Sequence, residues 1–137
     1  MKSLLLTAGL DRLDEVRSFL TKDFPDELAA LTPSVELILE EFLVNVVTHA
    51  YKGSPGPLEV NIRQVTFDDW PHLVLEVVDW GPPFDPFSEA TPPELTQDID
   101  DKPIGGLGIH LIRNIAAHHS YCRDRGANSV EVWVRCP

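Results

Sequence analysis

Glu41-Phe42-Leu43-Val44-Asn45, running on to His49-Ala50-Tyr51, is the stretch from which the rest of the chain is read. A carboxylate and an amide stand four residues apart, so a helix places them on one face of an otherwise apolar run. A carboxylate buried there without a partner is costly, so it is either paired or turned toward a wet cleft. Both readings stand at this point: a buried polar network joining two helices, or the wall of a site.

Working outward, Thr32-Pro33 predicts the start of this helix, with the threonine oxygen as cap and proline in the first turn. The helix is expected to reach about Ala50 and to stop near Gly53, ahead of Pro55 and Pro57. An earlier helix over residues 11–22 follows from the spacing of Leu13, Val16, Phe19 and Leu20, and residues 3–7 read as a short strand. Leu58, Val60 and Ile62 alternate with Glu59, Asn61 and Arg63, which predicts a half-buried strand. Asp68-Asp69-Trp70-Pro71 turns the chain, and residues 73–78 form a more fully buried strand that Gly81-Pro82-Pro83 ends. Residues 85–103 carry four prolines and little periodicity, as a lid or binding loop does. A helix over residues 108–119 is then expected, followed by strands at 121–124 and 128–135, where Val130, Val132 and Val134 alternate. The predicted fold class is α+β: a single domain over residues 1–137, a two-layer α/β sandwich whose mixed, mostly antiparallel sheet carries helices on one face.

Three further features carry chemistry. Asp79-Trp80-Gly81 follows a buried strand. It is either turn chemistry alone or a carboxylate that accepts from a ligand amine, with Gly81 allowing close approach. Gly105-Gly106-Leu107-Gly108 leads directly into a helix, as a hinge or as a cradle of backbone N–H groups for phosphate. It matches neither the Walker pattern nor G-x-G-x-x-G. His118 and Cys122 have a metal-ligand spacing but no second pair, and His49 has no nucleophile with which to form a triad.

Composition narrows the classes. With 137 residues, a net charge of −11, 43 % hydrophobic and 24 % charged residues, the chain is ordinary for one globular domain and poorly suited to nucleic acid. No apolar run reaches the length of a membrane span, and a cytoplasmic location is expected. Cys122 and Cys136 are expected to be reduced. With a hairpin turn at Gly126, residue 122 should face roughly residue 130.

Taken in order, E-x-x-x-N-x-x-x-H-A-Y, D-W-G-P-P-F and G-G-L-G-I-H-L-I resemble the three sequence boxes of the Bergerat ATP-binding fold. The compact length and the H-A-Y ending resemble most closely the small anti-sigma-factor serine/threonine kinases of bacterial partner-switching systems. That resemblance implies ATP and Mg²⁺, with Asn45 holding the metal and Asp79 taking the adenine amino group. It implies that Gly81 leaves room for the ring, that Gly105, Gly106, Leu107 and Gly108 line the phosphates, and that Glu41 is the general base. The acidic stretch of residues 85–101 contains no Lys or Arg, so Lys102 and Arg113 are the nearest candidates for the γ-phosphate. Ser129 is the candidate for a water-mediated adenine contact, and His49 is expected to pack rather than shuttle protons. The implied partners are an anti-anti-sigma (STAS-like) protein substrate and a sigma factor, with homodimers common in such a family. The alternative function is a non-catalytic ATP-binding module that sequesters a partner.

Overall fold

Alternation of apolar and polar residues builds five strands, and their register decides which residues meet the helices. The computed structural model describes residues 2–22, 24–89 and 106–137. Strands β1 (Lys2–Thr7), β2 (Pro57–Phe67), β3 (Trp70–Asp79), β4 (His118–Asp124) and β5 (Ala127–Arg135) form one sheet in the order β1-β2-β3-β5-β4. Each neighbouring pair is antiparallel, which corrects the expected mixed sheet. Two of the four pairs are tight hairpins, and the helical connections return the chain in opposite directions. Both hairpin turns hold two consecutive residues at positive φ, Asp68-Asp69 (54° and 60°) and Arg125-Gly126 (51° and 79°). That geometry matches the twist of the strands it joins. The second turn sets Cys122 opposite Ser129, one position from the expected register, and both cysteines are free thiols.

The α-helices are α1 (Leu13–Thr21), α2 (Thr32–Asn45), the short α3 (Pro86–Glu89) and α4 (Gly106–Ile115). The spacing of Val35, Ile38, Leu39, Phe42, Leu43 and Val46 makes one apolar stripe, and all six are buried against the sheet. From the sheet they meet Leu58, Val60, Ile62, Leu73, Leu75, Val77, Val130 and Val132. Burying each such side chain is worth about 1.5–3 kcal/mol, so this layer dominates the stability.

Thr32 does not cap α2. Leu31 occupies the cap position without a side-chain bond, because a 3₁₀ turn over Asp26–Leu31 delivers backbone that is already helical. At its other end α2 widens into a π-helical turn over Val46–Ala50, where the Tyr51 N–H donates to Val46 O at 3.2 Å. The last helix is shorter than expected. It ends at Ile115, and β4 begins at His118, so His118 and His119 lie on opposite faces of a strand rather than on a helix. His118 and Cys122 share the outer face, but four strand residues separate them by about 13 Å.

Candidate active site

The second face of the sheet mixes Asn61, Glu76, Ser129 and Glu131 with Val74 and Trp133, and the first closes a pocket under α2. The pocket is small and is lined by Phe42, Asn45, Val46, Ala50, Val77, Asp79, Phe84, Pro86 and Val130. Its walls are apolar and its polar groups few, as in sites for flat ring systems.

Asp79 ends β3 at the pocket floor and is 7 % exposed. In the ladder it pairs with Leu58 on one side and Asn128 on the other. Its Oδ1 accepts from the Gly81 N–H at 2.9 Å and from Asn128 Nδ2 at 2.8 Å. The turn-forming bond and the pocket-lining position therefore coexist: Asp79 makes the turn and still presents a carboxylate edge to the cavity. Gly81 is pressed against the end of the α2 segment. A Cβ there would lie 2.6 Å from Ala50 O and 2.7 Å from Ala50 Cα. The turn is fixed further by Tyr51, whose hydroxyl accepts from the Trp80 N–H at 3.0 Å and donates to Pro57 O.

The front wall comes from the segment after the turn. Phe84 stacks on His49 with ring centroids 4.3 Å apart, which gives His49 a packing role. Phe87 packs edge-on against Phe42 at 6.2 Å and stacks on His119 at 4.1 Å. Arg113 donates to Phe87 O and faces that ring, so it braces α3 and is not among the pocket-lining residues.

The other end of the pocket is reached along α2. Asn45 lines the cavity, and Glu41 lies one turn away, about 6 Å along the axis. Glu41 Oε2 and Asn45 Nδ2 are buried without a hydrogen-bond partner among the described residues. Burial, and secondarily the neighbouring Glu40 carboxylate, push the Glu41 carboxyl above its ordinary value. Gly108, in the first turn of α4, lies directly on the Glu41 carboxylate, where a Cβ would collide with it. The N-terminal turn of α4, beginning at Gly106, thus abuts the Glu41 and Asn45 end, and free N–H groups of such a turn favour anions. Leu107 belongs to the same turn; Lys102 and Gly105 lie outside the described residues, as does the acidic stretch beyond Glu89.

Ser129 is not brought to this pocket. It faces the opposite side of the sheet and donates to Glu76 Oε2 at 2.7 Å, beside the Asn61 to Glu76 bond of 2.8 Å. The polar residue of β5 that does reach Asp79 is Asn128, which sequence reasoning missed. The parity of β5 was a sufficient signal: Val130, Val132 and Val134 face the helices, so residue 128 does and residue 129 does not.

A histidine kinase-like ATPase domain model matches residues 6–135. The chain belongs to that family. It is 33 % identical over 101 residues to the serine/threonine-protein kinase BtrW of Bordetella bronchiseptica, covering 73 % of this chain and 68 % of that protein. It is 29 % identical over 99 residues to the serine-protein kinase RsbW of Listeria monocytogenes, covering 70 % of this chain and 61 % of that one. For the RsbW of Bacillus licheniformis the figures are 31 % over 84 residues, 59 % and 51 %. The chain thus spans between half and two thirds of the RsbW proteins. Among the described residues no helix is long and apolar enough to cross a membrane.

An ATPase domain of this kind implies ATP. The pocket suits it at both ends: a carboxylate among apolar walls for the purine, and the unpartnered Asn45 amide beside a helix N-terminus for the phosphates. Mg²⁺ asks little more of a protein than one or two oxygen ligands, since phosphates and water supply the others. The Asn45 side chain can provide one.

Proposed function

We propose that this protein is an ATP-dependent serine/threonine protein kinase of a bacterial partner-switching system. It would phosphorylate an anti-anti-sigma (STAS-like) protein and act as an anti-sigma factor. The observation that carries the reading is the pairing, beside the apolar pocket that holds Asp79, of Glu41 and Asn45 with buried polar atoms that nothing described satisfies. A pure binding module has no use for a carboxylate there, and the similarity to proteins named serine/threonine-protein kinases supports the same choice.

Phosphoryl transfer needs positioning and charge stabilisation more than covalent help from the protein. Bound Mg-ATP supplies the transferable γ-phosphoryl group and the metal charge that steadies it. Asp79 holds the purine by accepting its amino N–H, and Gly81 admits the ring beside Ala50. Asn45 would hold the metal through its amide oxygen. Backbone N–H groups of the first α4 turn receive phosphate oxygens. Glu41 takes the proton from the incoming serine or threonine hydroxyl as its oxygen bonds to phosphorus and ADP departs. The raised carboxyl of Glu41 suits a base, because a more basic carboxylate accepts a proton more readily.

The test is to incubate the protein with Mg-ATP labelled at the γ-phosphate and a STAS-like acceptor. The expected product is a phosphoserine or phosphothreonine on the acceptor, absent with Glu41→Ala although nucleotide still binds. Complex formation that depends on nucleotide, with no label transferred, would instead establish a binding module. Binding of a sigma factor by the protein when free of the acceptor tests the anti-sigma role separately.

A further inference from the structure

Arg113 stands five residues after Gly108 on α4, about 7.5 Å along the axis. Motif order makes it a candidate for the γ-phosphate, but the structure gives its guanidinium to α3. It donates to Phe87 O, and its Cζ lies 6.0 Å from the centroid of the Phe87 ring. Phe87 is 5 % exposed, held edge-on by Phe42 and stacked on His119. Side chains from α2, α4 and β4 thus converge on one ring. Four residues are too few for a helix to stand alone, so these contacts hold α3 in place. Asp85 adds only local bonds, accepting from the Phe87 N–H at 2.9 Å and from the Glu89 N–H at 3.0 Å. Beside this anchor, Phe84 and Pro86 line the pocket. At the other end of α4, Gly108 lies on the Glu41 carboxylate. Between the two, Ile109 and Ile112 are buried in the core, so the helix cannot roll without exposing them.

We propose that Arg113 is a positioning residue that ties the front wall of the pocket to the α4 turn on Glu41, so that a bound nucleotide meets both in one fixed register. The inference rests on the kinase reading above and deepens it. Phosphoryl transfer tolerates little misplacement: a shift of about 1 Å caused far from the chemistry can cost about 100-fold in rate. Nucleotide affinity is less sensitive, because Asp79 and Gly81 belong to β3 and its turn, outside α3 and α4. Without the guanidinium, Phe42 and His119 still grip the Phe87 ring, but the bond from α4 to the α3 backbone is gone. The wall stays near the base while its register to Glu41 is lost. A carbonyl asks for one donor, so a lysine can replace the bond; methionine keeps an unbranched stem and removes the donor.

The experiment pairs transfer kinetics on a STAS-like acceptor with calorimetric titration of Mg-ATP and Mg-ADP, in the wild type, Arg113→Met, Arg113→Lys, Phe87→Ala and the double variant. Arg113→Met should lower kcat about 10- to 100-fold. Its affinities for Mg-ATP and Mg-ADP should change equally, by no more than about threefold. Arg113→Lys should recover kcat to within about threefold of the wild type. Adding Arg113→Met to Phe87→Ala should cost nothing further, since α3 is already undocked. Should Phe87→Ala not fold, as judged by near-ultraviolet circular dichroism, the Met and Lys variants decide. Loss of Mg-ATP affinity with Mg-ADP affinity kept would make Arg113 a ligand of the γ-phosphate, and an unchanged kcat would make its contact merely structural; either overturns the proposal. Amide hydrogen exchange gives a readout independent of transfer. Mg-ADP should slow exchange at Phe87 and Glu89 in the wild type, and Arg113→Met should lose that slowing. Slowing that persists in Arg113→Met, or is absent from the wild type, overturns the coupling. The expected exchange pattern without phosphate transfer overturns the kinase reading alone, and a wild type that binds no nucleotide overturns both.

Discussion

The two ends of the pocket are built on opposite principles. At the Asp79 end the buried polar groups are tied together: Asn128 alone joins Asp79, Pro82, Phe84 and Tyr121, and Tyr51 anchors the adjoining turn. At the Glu41 end two buried polar atoms have no partner among the described residues, and a glycine lies flat on the carboxylate. A satisfied network is rigid and specifies one geometry, whereas an unsatisfied pair lowers stability until something else satisfies it. On the proposed reading, recognition is set by the fold, and stability is given up where charge must be handled.

That contrast can be broken most severely at Glu41. Glu41→Ala should slow phosphate transfer about 10²–10⁴-fold, the usual contribution of a positioned base, while nucleotide affinity changes little. A transfer assay beside a binding titration checks both halves. A fall in affinity equal to the fall in rate would place Glu41 in ground-state binding instead.

Gly108 comes next. On helix propensity alone, Gly108→Ala should stabilise α4 by about 1 kcal/mol. The contact with Glu41 predicts the reverse, because the new Cβ meets the carboxylate. The expected outcome is a lower melting temperature and transfer reduced about tenfold, equivalent to about 1.4 kcal/mol of misplacement. A variant more stable than the wild type and fully active would show that the two groups do not touch.

A smaller effect concerns pH. Folding raises the Glu41 carboxyl above its ordinary value, chiefly through burial. Its contribution to stability is therefore complete at pH below the unfolded value and is lost as pH rises through the folded value. Near neutrality the ionised side chain is a burden, so Glu41→Gln should melt at a higher temperature than the wild type at about pH 7.5, with the gap closing at about pH 4. Transfer by the wild type should rise with pH through the same folded value. The smallest effect belongs to Ser129→Ala, expected to leave nucleotide affinity within about twofold, since its partner Glu76 lies on the far face.

How much of this was legible varies by element. The stripe of α2 and the alternation in β2 and β5 are local patterns that survive tertiary context, and they gave helix, strands and layer correctly. The start of β4 was not visible. Ile109, Ile112, Ile115 and Ala116 keep helical spacing to the very end, and His118-His119-Ser120 become a strand only by pairing with β5. Likewise nothing in Val46–Ala50 announces a π turn beneath Gly81, because that contact joins residues 31 positions apart. Glu41, Asn45, Asp79 and Gly81 could be named from motif order. Asn128 is legible only from strand parity, whereas the neighbouring Ser129 is the small hydroxyl that such a position suggests.

The central claim is a single pocket whose purine end and phosphate end can be separated. Calorimetric titration of Mg-ATP into the wild type, Asp79→Ala and Glu41→Ala tests it most directly. The account predicts similar affinity for the wild type and Glu41→Ala, and a loss of about 10- to 100-fold for Asp79→Ala, as expected when a buried hydrogen-bond acceptor is removed. Affinity retained in Asp79→Ala, or no heat from the wild type at millimolar nucleotide, would contradict it.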